Sequence, residues 1–301
     1  MRRKLRSPLP QRDGLDPVRL HLPTDGRWDR VRDFLVDRLS KVPAEVVDEM
    51  LRTGRFVTHD GPIGVEDPYR PGGFVWFHRD VAPEVPVPFD LEVLHRDEHI
   101  LVVDKPHFLA TTPRGGHVTE TALVRLRRQL DLPDLSPAHR LDRATAGVLL
   151  LVIDPALRGA YQTLFHDRRV EKVYEAIAPH DPRLAFPRTA SSRITKHRGV
   201  LAAVEEPGPP NAETRIELLE HRGSFARYRL RPRTGRTHQL RVHLNSLGLP
   251  IVGDDLYPEV RPKADDDFTD PLQLLARSME FPDPRTGELR HFESRRALHW
   301  P

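Results

Sequence analysis

The segment from Pro137 to Val152, PAHRLDRATAGVLLLV, sets His139, Arg140, Asp142 and Arg143 directly ahead of a wholly apolar run. Charge at the edge of a buried strand is costly unless it is paired or used. A carboxylate kept ionised there serves as a nucleophile or a general base. Arg140 and Asp142 are two positions apart, so extended backbone points them the same way. Taken alone, the segment reads first as a structural ion pair, because such networks also occupy strand ends.

A second segment changes that reading. From His221 to Gly253 the chain carries seven arginines (Arg222, Arg227, Arg229, Arg231, Arg233, Arg236, Arg241) and no Asp or Glu. Ala226, Tyr228 and Leu230 alternate with Arg227, Arg229 and Arg231, so one face of a strand packs while the other presents guanidinium groups suited to an anionic partner. The Thr234-Gly235 turn then leads into a helix whose N–H groups, with Arg236, are placed to hold a phosphate. An enzyme acting on a nucleotide within RNA needs such a clamp and one reactive carboxylate.

The composition excludes other chemistries. With no Cys among 301 residues, disulfides, thiolate nucleophiles, iron–sulfur clusters and Cys-type zinc sites are ruled out. His95 with His99, and His238 with His243, lack a setting that would make them metal ligands, so no metal is expected. The longest apolar run, Ala146 to Ile153, is too short to span a membrane. MRRKLRSPLPQRD is basic without an apolar stretch behind it, and a cytoplasmic protein is expected. Lys and Arg total 47 against 44 Asp and Glu, so local placement matters more than the net charge of +3.

The elements that must position these groups read as a mixed α+β chain. Helices are expected over 29–39 and 44–52, followed by turns and the strand FVWFH. VAPEVPVPFD is a stiff linker. Beyond it come a hairpin over 91–103, a helix over 121–130, a buried strand over 148–153, and a helix opened by Asp154-Pro155. Strands at 173–178, 214–219 and 225–232, a helix ending near Gly248, and two terminal strands complete the reading. The spacing gives a basic extension at 1–26, a small α+β domain at 27–82, a linker at 83–89 and a larger domain at 90–301. Strands and helices alternate without a strict βαβ repeat, so a mixed, largely antiparallel sheet is expected.

Four ordered motifs carry a family resemblance. HRLDRATAGVLLL resembles the H-R-L-D-x-x-T-S-G motif of the RluA-type pseudouridine synthases. ILVVDKP, EKVYEAI and RTGRTHQLRVHLNSLGLPIVGDDLY are similar to three further motifs of that family, in the same order. The resemblance covers roughly 88–295 and implies isomerisation of uridine to pseudouridine in structured RNA, ribosomal or transfer, without a cofactor. It implies that Asp142 is the catalytic aspartate, that Tyr174 packs against the uracil, that Arg241 forms an ion pair with Asp142, and that Arg140 helps displace the base. Lys105, Arg143, Arg233, Arg236 and His238 are the further expected RNA contacts, and a monomer is the expected state. The chain departs from the pattern at His107-Phe108, where a Gly is usual after Lys-Pro, and at Ala146, where Ser is usual.

Residues 27 to 80 resemble, in outline, an S4-like RNA-binding domain, though Glu45, Asp48 and Glu49 oppose phosphate binding there. Other readings fit less well. HRLD lacks the Gly-rich loop and D-F-G of a kinase, and the paired carboxylates of a glycosidase are not evident. The competing class is an RNA-binding protein of the same fold without turnover.

Overall fold

The computed structural model describes residues 7–301, so the basic cluster Arg2, Arg3, Lys4 and Arg6 lies outside the described residues. The chain divides into two compact units, Met1–Pro83 and Glu84–Pro301.

The first unit contains β1 (Val18–His21), α1 (Val31–Arg38), α2 (Ala44–Arg52), β2 (Val57–Thr58), β3 (Gly61–Pro62) and β4 (Phe74–Phe77). Its sheet has the order β1-β4-β2-β3. The two helices bury Val31, Phe34, Leu35, Val47, Met50 and Leu51 against Phe56, Val75 and Phe77. β1 falls in the stretch read as an extension, yet it pairs antiparallel along β4, Val18 opposite Phe77. The short alternation of Val18 and Leu20 is enough to dock it. Asp48 of α2 accepts two hydrogen bonds from Arg32 of α1, at 2.6 and 2.9 Å, so one of the acids that would repel phosphate joins the two helices.

The second unit runs β5 (Glu92–Arg96), β6 (Ile100–Lys105), α3 (Ala122–Leu130), β7 (Ser136–Pro137), β8 (Ala146–Val152), α4 (Arg158–His166), β9 (Glu171–Pro179), β10 (Arg188–Thr195), β11 (Val204–Glu206), β12 (Ala212–Arg222), β13 (Phe225–Pro232), α5 (Gln239–Ser246), β14 (Leu274–Pro282) and β15 (Leu289–Glu293). The sheet follows β11-β10-β12-β13-β9-β14-β8-β6-β5, with β15 on β14 and β7 on β8. Only β14 with β8 is parallel among these pairings. The architecture is therefore α+β with a mixed, largely antiparallel sheet, as the element pattern predicts. No helix among the described residues is long and apolar enough to cross a membrane.

β8 lies at the centre because it can be covered on both faces. Leu149 and Leu151 pack with Leu123 and Leu126 of α3, while Val148, Leu150 and Val152 face Tyr161 and Leu164 of α4. Thr121 caps α3 by accepting from Val124 N, and Asp154 accepts from Ala156 N at the turn before α4. The parallel seam requires Gly147. Its φ is +114°, and a Cβ there would stand 2.2 Å from Ala276 O of β14. β10 was not expected, because RTASSRIT offers Thr, Ser and Arg where a strand signal needs branched or aromatic residues.

Candidate active site

Asp142 sits in the irregular turn that enters β8, half-buried, with its carbonyl accepting from Thr145 N at 3.1 Å. Three side chains, Lys105 at the end of β6 and His107 and Thr111 in the segment after it, fix that turn. Thr111 Oγ1 donates to Leu141 O at 2.7 Å and accepts from Leu141 N at 3.1 Å. His107 Nδ1 lies 2.8 Å from Ala144 O. Lys105 Nζ donates to Pro106 O, Leu109 O and Arg143 O at 2.9, 2.7 and 3.3 Å. The backbone on both sides of Asp142 is thus held, while no described residue makes a hydrogen bond or ion pair with its carboxylate.

Lys105 was expected to touch RNA, and here the structure corrects the sequence reading. Its side chain is fully buried, so it braces the loop and cannot reach a ligand in the cleft. Burial pushes its pKa down to about 7, opposed by the negative charge of Asp142. His107 and Phe108 occupy the stretch where the resemblance calls for glycine. Phe108 takes φ +65°, a conformation that favours glycine, and lies buried against Phe89 and Phe268.

Arg241, on α5, needs a second correction. Rather than pairing directly with Asp142, its guanidinium donates to Asp254 at 2.8 and 2.5 Å and to Asp255 at 2.8 Å, and stacks over Tyr257. Burial alone would lower the Arg241 pKa, but the hydrogen bond and charge of Asp254, with Asp142 and Asp255, hold it above the ordinary value. Asp142 therefore acts on Arg241 through space. The Asp254 turn is folded back by Gly253, where a Cβ would meet Pro271 O at 2.4 Å. Asp254 and Asp255 were not singled out from the sequence, although GDDLY closes the RTGRTHQLRVHLNSLGLPIVGDDLY motif.

Asp142, Arg140, Arg143, Tyr174, Arg233, Arg236, His238 and Arg241 do line one open cleft of about 780 Å³. Tyr174 projects from β9, and burial together with the Asp142 charge pushes its phenol pKa well above the usual range. His238 caps α5 in a left-handed conformation, φ +56°, with Nδ1 3.1 Å from Tyr257 OH. Gln239 holds the turn before it, accepting from Thr234 Oγ1 and Arg236 N and donating to Glu213 O and Thr214 Oγ1. Arg140 is exposed at the mouth, and Arg143 keeps a buried Nε without a partner.

The basic face of β13 is less free than its sequence implies. Arg227 pairs with Glu220 at 2.5 Å and Arg229 with Glu217 at 3.5 Å, while Arg233, just beyond β13, meets Glu213 at 3.4 Å and Arg222, at the end of β12, meets Glu220 of its own strand at 3.6 Å. The acids come from β12, the adjacent strand, so a window along the chain does not contain them. Among the described residues no group of three or more His, Asp or Glu is arranged to hold a metal ion.

The family described as RNA pseudouridylate synthase matches residues 99–246. The chain is 37% identical over 180 residues to the dual-specificity RNA pseudouridine synthase RluA of Escherichia coli, a match covering 58% of this chain and 81% of that protein. It is 29% identical over 264 residues to ribosomal large subunit pseudouridine synthase D of Pseudomonas aeruginosa, covering 82% and 79% of the two chains. Among solved structures, the human RNA pseudouridylate synthase domain containing 1 is similar with a TM-score of 0.55 and 28% identity, over 68% of this chain and 83% of that one.

Proposed function

The chain belongs to the RluA-type RNA pseudouridine synthases and isomerises uridine in RNA to pseudouridine, and on that premise we propose that Asp142 is the group that opens the N1–C1′ bond. The reaction breaks that bond, turns the uracil and rejoins it through C5; N1 ends with the proton that C5 gives up. No electrons or atoms are exchanged with a second reactant, so the chemistry calls for no cofactor. Attack at C1′ and proton removal at C2′ both need an ionised carboxylate in a fixed place with its lone pairs free. The observation that carries the assignment is the contrast at Asp142, whose flanking backbone is held by Thr111, His107 and Lys105 while the carboxylate itself has no hydrogen-bond or ion-pair partner among the described residues.

The other roles follow from position. A stacked base must be swung out before the sugar is reached, at a cost of roughly a few kcal/mol, and exposed Arg140 at the mouth fills the vacated place. Tyr174 offers its ring to the freed uracil. Because its pKa is raised, Tyr174 works as a neutral phenol rather than as a tyrosinate base. Arg241, held by Asp254 and Asp255, supplies positive field to Asp142 from behind. Arg143, Arg233, Arg236 and His238 border the RNA path, and the first unit adds contacts as an S4-like domain. The substrate is a structured ribosomal or transfer RNA of the cytoplasm; the name of the Pseudomonas aeruginosa relative supports a ribosomal target. One copy of the chain holds every side chain named, so a monomer suffices.

The test is release of tritium from RNA labelled at uracil C5. Asp142→Asn should lower release by about 10³-fold or more while RNA affinity stays within about threefold. Release by this variant at the wild-type rate would remove Asp142 from the reaction.

A further inference from the structure

On β13, Arg227 and Arg229 are matched by glutamates of β12, whereas Arg140, Arg168 and Lys172 are among the cleft-lining cations without an ion pair to any described residue. Lys172 is the unusual member. It lies on β9 two positions before Tyr174, so the two side chains share the face that borders the cleft. Arg140 and Arg168 are exposed to water, but Lys172 is largely covered. The same cleft lining carries His139, stacked on Phe165 with ring centroids 4.6 Å apart, and Val170.

None of these neighbours can neutralise an ammonium group. His139 accepts a hydrogen bond from Leu150 N at 3.1 Å, and burial, followed by the charge of Lys172, pushes its pKa down to about 3, so it stays neutral. Glu175 is held on the other face of β9 by Arg277 at 3.0 Å. No carboxylate of a described residue, Asp142 included, forms an ion pair with Lys172. A covered cation without a carboxylate weakens the free protein, and such a position makes sense when a ligand brings the anion. Lys in particular serves as a point charge for phosphate.

We propose that Lys172 binds the phosphodiester flanking the extruded uridine, forming with Arg168 a phosphate subsite in the cleft beside Tyr174. The proposal rests on the reading of this cleft as the RNA site. A backbone phosphate gripped there sets how far the flipped nucleotide enters, so that its sugar stops beside Asp142 and its base over Tyr174.

The test uses the full chain with unmodified ribosomal and transfer RNA transcripts labelled with tritium at uracil C5. For Lys172→Met, KM should rise roughly tenfold, kcat should stay within about twofold, and the slope of log KM against log salt should fall by about 0.7 to 0.9. Lys172→Arg should recover most of the loss. Without RNA, Lys172→Met should melt at or above the wild-type temperature, which a structural lysine would not allow. An unchanged KM and salt slope, a fall confined to kcat, or a lower melting temperature shared by the Met and Arg variants would each overturn the proposal. Inactivity of Asp142→Asn beside an unaffected Lys172→Met would reject this subsite and leave the reading of Asp142 intact; an active Asp142→Asn would do the reverse.

Discussion

His107 and His139 flank the reactive turn as neutral rings, and this has a consequence for stability. Burial holds their pKa values at about 4 and about 3, against an ordinary value near 6.5. Between pH 6.5 and 4 the unfolded chain takes up protons that the native protein refuses. Stability from these groups is therefore complete above pH 6.5 and is lost as pH falls towards 4. His107→Gln, which retains a donor for Ala144 O, should flatten that acid loss by up to about 1.4 kcal/mol per pH unit. Urea midpoints at pH 7 and pH 5 measure it, and equal slopes for variant and wild type would contradict the assignment. At this scale Asp142, Tyr174 and the arginines of the HRLD and RTGRTHQLR segments were legible as residues of one cleft, because they stand inside motifs of fixed spacing. The partners of Arg241 and the buried state of Lys105 were not. Both depend on which of several nearby carboxylates and carbonyls the fold brings closest, and sequence spacing does not order those distances.

β8 and β14 bring the Asp142 turn and the Tyr174 strand together, through the one parallel pairing of the large sheet. Gly147→Ala should break this seam, since the added methyl would meet Ala276 O well inside contact distance. The expected cost is about 3 kcal/mol or more, read by chemical denaturation. A loss below about 1 kcal/mol would mean that the seam tolerates separation. Elements with a clear period were visible in the sequence: β8 as an unbroken apolar run, and β13 as strict alternation. β10 and β1 were not, because a strand at the polar side of a sheet carries Thr, Ser and Arg, and a four-residue strand has too few positions to show a period. The same limit explains the arginine face. Glu213, Glu217 and Glu220 neutralise it across the β12–β13 pairing, and a charge count along one strand is blind to its neighbour.

For the molecule as a whole, 47 basic side chains against 44 acidic ones describe a distribution more than a net charge. In the first unit Arg32 and Asp48 join two helices, and in the second the β12–β13 pairs stiffen a sheet. Arg140, Arg143, Arg168 and Lys172, without an ion pair to any described residue, line the cleft together with Asp142. The central claim is that this arrangement isomerises uridine through that one carboxylate. Carbodiimide mapping of pseudouridine in total RNA, from cells carrying the wild-type chain and cells carrying only Asp142→Asn at the same abundance, tests it most directly. At least one pseudouridine present with the wild type should be an unmodified uridine with the variant, the rest of the map being unchanged. Identical maps from the two cells would contradict it.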